Sequence, residues 1–318
     1  MFGEKFMENE FFNLLERIDV SLEKIASSIH LPETQKYISQ SKTTSISLPP
    51  CKSLSYQKQL FSNTERIEII KDFLSKRNIT IDEYNIAEID DLAKISFFIG
   101  ERFDNLSDFF NILKKSINEG CIRKILDLYY VNEQKLSDIC QIATRLYNVG
   151  YLSEKIYMKA PKRQLIIQPD KSPHIKVFFL GKWLELYLIN KVIDTIGNLS
   201  KKHEHPIKYS YLNNIKVTFH GGRKAEFDIL FEIEGKLFWF EAKTHNLDGN
   251  SAREDFDKYN EYRSQMGIDK NHAYVIYTNP DNYYIQTFKN DYLDLSILNL
   301  KEIQKSLPII IEKYALEC

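Results

Sequence analysis

This 318-residue sequence is poor in glycine and cysteine, and each shortage argues against a class of site. It has only 11 glycines, which leaves little material for a glycine-rich loop of the kind that cradles phosphates or dinucleotides. Its four cysteines lack the CxxC spacing of structural zinc sites and stand at Cys51, Cys121, Cys140 and Cys318. We therefore expect neither a dinucleotide-binding fold nor a structural zinc centre.

The sequence also lacks a strong net charge, a long apolar run and a secretion signal. The formal net charge is −1, so any contact with nucleic acid must come from local basic patches. No stretch approaches the roughly 18 uncharged apolar residues that a membrane span requires. The first residues, MFGEKFMENEFF, are acidic and have no apolar centre, unlike a signal peptide. These features indicate a soluble, reduced, cytoplasmic protein with no membrane partner.

Residues 1–60 divide into a predicted helix and a predicted linker. In residues 1–30, apolar side chains recur at steps of three and four along a heptad-like seam: Phe11, Leu15, Ile18, Leu22, Ile25 and Ile29. Two uses of this seam remain open, namely packing on the rest of the chain and dimerisation. Residues 31–60 are rich in Ser and Thr, contain Pro49 and Pro50, and have no sustained period, which predicts a linker or an extended arm.

Residues 61–170 have the pattern of a mostly helical domain. Amphipathic segments such as NTERIEIIKDFLSKR and LSDFFNILKKSINEG precede KLSDICQIATRLYNVG, a further predicted helix. A short hairpin follows, with KIYM and LIIQ as strands and a basic turn that carries Lys159, Lys162 and Arg163. This order fits a winged-helix module, and an ordinary helical bundle with a linking hairpin is the alternative. The segment has no alternating strands and helices that would indicate a Rossmann domain.

Residues 171–318 have a different rhythm, with strands between helices. GKWLELYLINKVIDTIG predicts a helix, and NIKVTFH, AEFDILFEI and KLFWFEAK predict three strands joined by the turns HGGRK and EGK. SAREDFDKYNEYRSQMG predicts the next helix, HAYVIYT a fourth strand, and residues 287–316 one or two further helices. The predicted fold class is therefore α/β, with a core ordered helix, three strands, helix, strand.

Charged residues stand at the end of the most apolar strand, KLFWFEAK. Glu241 and Lys243 are two positions apart, so their side chains lie on one face of that strand. Asp228 lies in the preceding strand, and a tight turn centred near Gly235 places it opposite a position near 242. We therefore expect these three charged groups within a few ångströms of each other.

A fourth charged residue, Glu185, lies on the predicted helix that precedes the strands. It heads a stripe of apolar side chains at helical spacing: Ile189, Val192 and Ile196. A carboxylate on the buried side of a helix costs free energy unless it is paired or ligates a cation. Glu185 is therefore expected to turn toward the sheet and to join the other three charged groups.

Three carboxylates and one lysine in a partly dry site favour a particular chemistry. Oxygen ligands attract Mg²⁺ or Mn²⁺, which keep several waters and accept phosphate oxygens. Such an ion lowers the pKa of a bound water and neutralises charge that develops on a phosphoryl group. The lysine can orient or deprotonate that water. The pattern therefore predicts hydrolysis of a phosphodiester.

The arrangement resembles the PD-(D/E)xK nuclease superfamily. Its motif reads here as Asp228, twelve residues, then Glu241-x-Lys243, and the superfamily core has the same order of helix, three strands, helix and strand. Glu185 matches the acidic residue that many members carry on the first helix. Phe227 stands where a proline often precedes the motif aspartate. The stretches GKWLE, EFDILF and LFWFEAKT look most like the nuclease domains of CRISPR-associated ancillary nucleases and of some restriction enzymes.

The resemblance implies a restriction-endonuclease-like domain within 171–318 and a metal-dependent nuclease activity. Asp228, Glu241 and Glu185 are then the metal ligands for Mg²⁺ or Mn²⁺, and Lys243 completes the catalytic set. The implied substrate is nucleic acid, with DNA favoured, in microbial defence or mobile-element processing. The implied partners are a second copy of the chain and other proteins of a defence or transposition complex. Ancillary nucleases usually carry a cyclic-oligonucleotide sensor in the N-terminal half, and none is recognisable here.

Two less specific interpretations compete with the nuclease hypothesis. Glu241 and Lys243 can instead form a solvated ion pair at the edge of a sheet, where such pairs contribute little. The domain can also be a non-catalytic nucleic-acid-binding or scaffold protein on a nuclease-like fold. Glu226 shares a strand face with Asp228, and it is either an auxiliary acid or a solvated strand residue.

Overall fold

The computed structural model describes residues 64–88, 90–159, 161–244, 249–278 and 283–316. The predicted helix in residues 1–30 and the predicted linker in 31–60 lie outside these ranges. Within them, the chain is of mixed α/β type and forms one six-stranded and one three-stranded sheet, with helices packed against both.

The first described segment contains helices, two early strands and a hairpin. Its elements are α1 Thr64–Ser75, β1 Thr80–Asn85, α2 Asp91–Glu101, α3 Phe103–Asn118, β2 Lys124–Asp127, α4 Glu133–Asn148, β3 Leu152–Met158 and β4 Gln164–Pro169. Asp90 and Asn132 precede α2 and α4, and each side chain accepts a hydrogen bond from a backbone N–H of the first turn. These two caps set where α2 and α4 begin.

The small sheet confirms the predicted hairpin and adds a strand to it. β3 and β4 pair antiparallel, with Met158 opposite Gln164, and β2 pairs with the other edge of β4. Neither β1 nor β2 is predicted from the sequence. The reason is that β1 (TIDEYN) is polar and exposed and β2 (KILD) has only four residues, so neither has an apolar pattern long enough to read.

The second described segment begins with one continuous helical stretch. It consists of α5 Pro173–Val177, a π-helical turn Phe178–Lys182 and α6 Trp183–Lys202. The remaining elements are β5 Tyr209–Thr218, β6 Lys224–Ile233, β7 Lys236–Lys243, α7 Gly249–Met266, β8 Ala273–Tyr277, α8 Tyr283–Asp291, β9 Ser296–Asn299, α9 Leu300–Ile311 and a π-helical turn Glu312–Leu316. The predicted order of helix, three strands, helix and strand is present, and β9 is an additional strand within the predicted helical tail.

The large sheet has the strand order β1-β5-β6-β7-β8-β9. Its first four strands are antiparallel neighbours, whereas β7, β8 and β9 run parallel to each other. β1 comes from the segment that the sequence analysis assigned to the helical domain, yet it pairs with β5. The carboxyl ends of β7, β8 and β9 therefore lie at one edge of the sheet, and helices connect these parallel strands.

The hairpin between β6 and β7 fixes the register of the strands that carry the motif. Ile233 pairs with Lys236, so the loop contains only Glu234 and Gly235. Both loop residues have positive φ, 48° for Glu234 and 84° for Gly235, as the first-choice turn for a two-residue hairpin requires. Gly235 adopts this conformation without strain because it has no Cβ.

Two apolar clusters cover the two faces of the large sheet. The inner cluster contains residues of α6, α9 and the small-sheet segment, whereas the outer cluster contains residues of α1, α7 and α8. Close packing of α2 on α6 depends on Gly100, where a Cβ would lie 2.1 Å from Cδ2 of Tyr187. The helical segment and the large sheet thus share the inner cluster.

The alternation of side chains changes phase at one level of β5 and β6. Leu212 and Ile215 are three residues apart, and so are Phe227 and Leu230, yet all four belong to the outer cluster. Regular strands place residues two apart on one face, so each strand carries one extra residue at this level. Because Asn213 pairs with Ile229 and Ile215 with Phe227, the extra residues are Asn214 and Asp228, opposite each other.

Candidate active site

The candidate site lies where β6 and β7 separate, at the end of the hairpin away from its turn. The paired register runs up to Ile229 and Phe240 and would place Asp228 opposite Glu241, one position from the expectation near 242. Instead of a backbone pair, the Oδ2 atom of Asp228 accepts a hydrogen bond from the backbone N–H of Ala242 at 2.8 Å. The carboxylate of Asp228 thus fills the gap between the two strands and is held beside the Glu241–Lys243 segment.

Glu241 and Lys243 form a buried ion pair on the face of β7 that α7 covers. Nζ of Lys243 lies 2.9 Å from Oε1 of Glu241, and Glu241 is only 4% exposed. The other oxygen of Glu241, Oε2, is buried and has no hydrogen-bond partner among the residues that the structure describes. This burial excludes the interpretation of a solvated surface pair. It leaves one carboxylate oxygen without the partner that buried polar atoms normally have.

Lys243 also lies 5.1 Å from the ring centroid of Tyr259 on α7, a cation–π distance. Burial lowers the pKa of Lys243, but the charge of Glu241 and the nearby Tyr259 and Asp228 outweigh it, so the pKa is raised. Lys243 therefore carries an ammonium group at neutral pH. A group in this state donates hydrogen bonds and balances negative charge.

The surroundings of Asp228 disfavour its charged form, whereas those of Lys243 favour its charged form. Burial raises the pKa of its carboxyl group well above the ordinary value, and the charges of Glu241 and Glu185 add to this effect. Lys243 and the hydrogen bond from Ala242 only partly offset it. A cation bound near Asp228 and Glu241 would favour the charged carboxylate and so lower the pKa of Asp228.

Glu185 faces the same site from the first turn of α6. The predicted apolar stripe behind it is buried, with Ile189, Val192 and Ile196 each 1% exposed. Burial raises the pKa of Glu185, Lys182 opposes this, and Glu241 and Glu226 raise it further. These mutual effects show that the structure brings together the four residues that the sequence analysis selected.

A lysine and an asparagine that the sequence analysis missed complete this side of the site. Nζ of Lys182 lies 2.6 Å from Oε2 of Glu185 and 3.2 Å from Oδ1 of Asn214. Asn214 has a φ of 50°, in the left-handed region that asparagine tolerates better than most residues. Lys182 had a readable signal, because it lies three residues before Glu185 at helical spacing. Asn214 and Tyr259 had none, because their roles depend on strand phase and helix packing.

The three carboxylates do not form a ready-made metal cage. Within the described part of the chain, no group of three or more His, Cys, Asp or Glu side chains is arranged to hold a metal ion. Lys182 forms an ion pair with Glu185, and Lys243 forms one with Oε1 of Glu241. Mg²⁺ in proteins is often bound by one or two carboxylates and several waters. Asp228 and Oε2 of Glu241 fit that smaller donor set, because one has a raised pKa and the other is buried without a partner.

The turn residues before Asp228 do not join the site. Arg223 forms an ion pair with Glu261 on α7, and Lys224 is exposed. Glu226 is also exposed and acts on the site only through its charge near Glu185. The interpretation of Glu226 as a solvated strand residue is therefore the better of the two.

The fold is similar to that of two solved structures. One is Can2 from Sulfobacillus thermosulfidooxidans in complex with cyclic tetra-adenylate, with a TM-score of 0.50 and 14% sequence identity. The other is protein VC1899 from Vibrio cholerae, with a TM-score of 0.48 and 17% identity. Each similarity covers 78% of this chain and 61% of the other chain, so the chain spans about three fifths of the length of these proteins.

Comparison at the level of sequence adds no relative. No family model matches the chain, and no curated protein is similar to it at a significant level. The likeness to Can2 therefore concerns the fold alone. In addition, none of the helices that the structure describes is long and apolar enough to cross a membrane.

Proposed function

We propose that the protein is a metal-dependent nuclease of the PD-(D/E)xK type that hydrolyses phosphodiester bonds in nucleic acid. The observation that supports this best is the pair Asp228 and Glu241, a half-buried and a buried carboxylate at the separated end of β6 and β7, with Lys243 beside them. The fold shared with Can2, which was solved in complex with cyclic tetra-adenylate, is compatible with this proposal.

In this proposal, Asp228 and Glu241 hold Mg²⁺ or Mn²⁺, and Glu185 assists directly or through a water. The bound ion supplies acidity to a water and charge for the phosphoryl oxygens. Lys243 orients or deprotonates the attacking water and balances the charge of the carboxylates. Tyr259 and Glu241 keep the ammonium group of Lys243 in place.

We also propose a biological setting, on the basis of the likeness to Can2. Can2 was solved with cyclic tetra-adenylate, so a role as a defence effector is proposed here, with DNA as the favoured substrate. A homodimer would place two sites on the two strands of a duplex. Both points can be tested by adding cyclic tetra-adenylate to a cleavage assay and by measuring the mass of the protein in solution.

The segment 91–169 is proposed to help hold the nucleic acid. Its helices, its three-stranded sheet in the order β2-β4-β3 and its basic hairpin turn fit the winged-helix interpretation. Arg163 at that turn is already paired with Glu133 at 3.2 Å, so Lys159 and Lys162 are the cations available to a phosphate backbone.

The deciding experiment is cleavage of plasmid, linear duplex and single-stranded DNA and of RNA with Mg²⁺, with Mn²⁺ and with EDTA. Asp228→Asn and Lys243→Ala should abolish cleavage while far-ultraviolet circular dichroism stays unchanged. Glu226→Gln is the matched control, because it removes an exposed acid from the same strand and should leave the rate within about twofold. Metal-independent binding without cleavage of any substrate would favour the non-catalytic scaffold instead.

A further inference from the structure

Lys114 connects the helical segment to the rim of the candidate site. It lies on α3, and its Nζ donates a hydrogen bond to the backbone carbonyl of Thr244 at 2.9 Å. Thr244 directly follows Lys243, and its hydroxyl donates to the backbone carbonyl of Leu180 in the π-helical turn before α6. Three elements therefore meet here: α3, the carboxyl end of β7 and the start of the helix that carries Glu185.

Lys114 differs from three other partly buried lysines. Each of these three has a carboxylate partner, in the pairs Lys182–Glu185, Lys191–Glu101 and Lys243–Glu241. Among the residues that the structure describes, no carboxylate lies within ion-pair distance of Lys114, and burial alone lowers its pKa. A cation that is partly removed from water without a counter-charge is costly, so an anion at this place would stabilise it.

The remaining hydrogen-bonding capacity of Lys114 points the same way. An ammonium group has three donors, and the carbonyl of Thr244 uses one of them. Phosphate oxygens are strong acceptors that lysine binds as a point charge. The position is also outside the carboxylate pair, because Lys114 contacts the residue after the motif and not the motif itself.

We propose that Lys114 binds a backbone phosphate of the nucleic-acid strand next to the scissile one. This inference rests on the proposed nuclease function and deepens it, because it makes the helical segment part of the substrate-binding surface. A phosphate contact carries no base information, so Lys114 sets the register of the strand in the site and does not select its sequence. It is a substrate-positioning residue, separate from the groups that carry out hydrolysis.

The test measures binding in EDTA, where no cleavage occurs, with fluorescent 20-nucleotide DNA as a single strand and as a duplex. Lys114→Gln removes the charge and keeps a hydrogen-bond donor, whereas Lys114→Arg keeps the charge. Lys114→Gln should weaken binding roughly five- to tenfold near 0.1 M salt. It should also reduce the slope of log affinity against log salt by about 0.7 for the single strand or about 0.9 for the duplex. Lys114→Arg should retain most of the affinity and most of the salt slope.

Lys115→Met is the matched control on the same helix, because it removes an exposed positive charge one residue away. Its salt slope should equal that of the unchanged protein. An equal loss in Lys114→Gln and Lys115→Met would overturn the proposal, because it would show an effect of net charge only. An unchanged slope in Lys114→Gln would also overturn it and leave Lys114 as a structural tether of Thr244.

A cleavage assay separates this inference from the nuclease hypothesis. With Mg²⁺, Lys114→Gln should raise KM about as much as it weakens binding and leave kcat near that of the unchanged protein. If the unchanged protein cleaves nothing, the proposed nuclease function fails, yet the salt slopes still decide whether Lys114 contacts a phosphate. If Lys114→Gln unfolds, Lys114→Met provides the same loss of charge with an apolar stem of similar length.

Discussion

Two buried glutamates on the same hairpin differ in how fully their carboxylate oxygens are paired. Glu232 on β6 is 1% exposed, and Glu241 on β7 is 4% exposed. Both oxygens of Glu232 have partners: Arg66 of α1 binds both of them, Ser210 lies 3.3 Å from Oε2, and the N–H of Gly235 donates to Oε1 at 2.6 Å. Glu241 has one such partner, Lys243, and its second oxygen has none among the described residues.

The difference shows that burial does not identify an active carboxylate. A buried acid whose oxygens are all satisfied holds elements together, and here Glu232 fixes α1 and the hairpin turn against the sheet. A buried acid with an unpaired oxygen gains free energy when a ligand binds to that oxygen. The two ends of one hairpin thus differ: Glu232 is fully paired, whereas Glu241 has one oxygen without a partner among the described residues.

The largest expected effect is on cleavage, and it should separate the two glutamates. Glu241→Gln should lower kcat/KM on the order of 10⁴-fold, because it removes half of the charge that holds the ion. Glu232→Gln should keep kcat within a fewfold under conditions in which the variant is folded. Initial rates at saturating Mg²⁺, with folding checked by circular dichroism, measure both. Equal losses in the two variants would contradict the assignment.

The next largest effect is on stability. It should come from loss of the partner of Glu232, which has little effect on cleavage. Arg66→Met leaves Glu232 buried without its main partner, which should cost about 3–5 kcal/mol of unfolding free energy. Urea unfolding measures this cost. Lys76→Met is the control, because it breaks an exposed pair with Asp72 and should cost no more than about 0.5 kcal/mol. A small effect of Arg66→Met would show that α1 is not held by this pair.

A smaller effect is expected on the free energy of unfolding when Mg²⁺ is added in the absence of nucleic acid. Mg²⁺ at a hundred times its dissociation constant should raise the unfolding free energy by about 2.7 kcal/mol. Glu241→Gln should lose this gain, and Glu226→Gln should keep it, since Glu226 is exposed and outside the pair. Thermal melting with increasing Mg²⁺ provides the measurement. An equal gain in all three proteins would place the ion elsewhere.

The smallest effect is a dependence of stability on pH in EDTA. Because the pKa of Asp228 is raised on folding, the folded protein holds a proton that the unfolded chain releases above about pH 4. The free energy of unfolding should therefore fall as pH rises through the raised pKa. Asp228→Asn has no such proton, so its stability should fall less over this window. Urea unfolding at several pH values tests this, and parallel curves would argue against a raised pKa.

The sequence was informative wherever apolar periodicity was strong. The stripe behind Glu185 predicted the orientation of α6, and the turn EGK predicted the hairpin that brings Asp228 to Glu241. These inferences are local, because a helix face and a two-residue turn follow from nearby residues. They were sufficient to select the four charged residues that the structure brings together.

What the sequence could not predict depends on contacts between distant segments. Lys114 meets Thr244 across 130 positions, and Arg66 meets Glu232 across 166. β1 is exposed and polar, so only its pairing with β5 makes it a strand. Asn214 and Tyr259 join the site only through strand phase and helix packing, which the motif does not show.

The phase change at Asn214 and Asp228 means that these two residues can be removed together without loss of register. Removal of both residues would leave Asn213 next to Ile215 and Phe227 next to Ile229, and these already pair across the strands. Leu212 and Ile215 would then be two apart, as would Phe227 and Leu230, and ordinary alternation would return. Deletion of Asn214 and Asp228 together should therefore keep the pairing of β5 with β6 while it removes the acid from the strand.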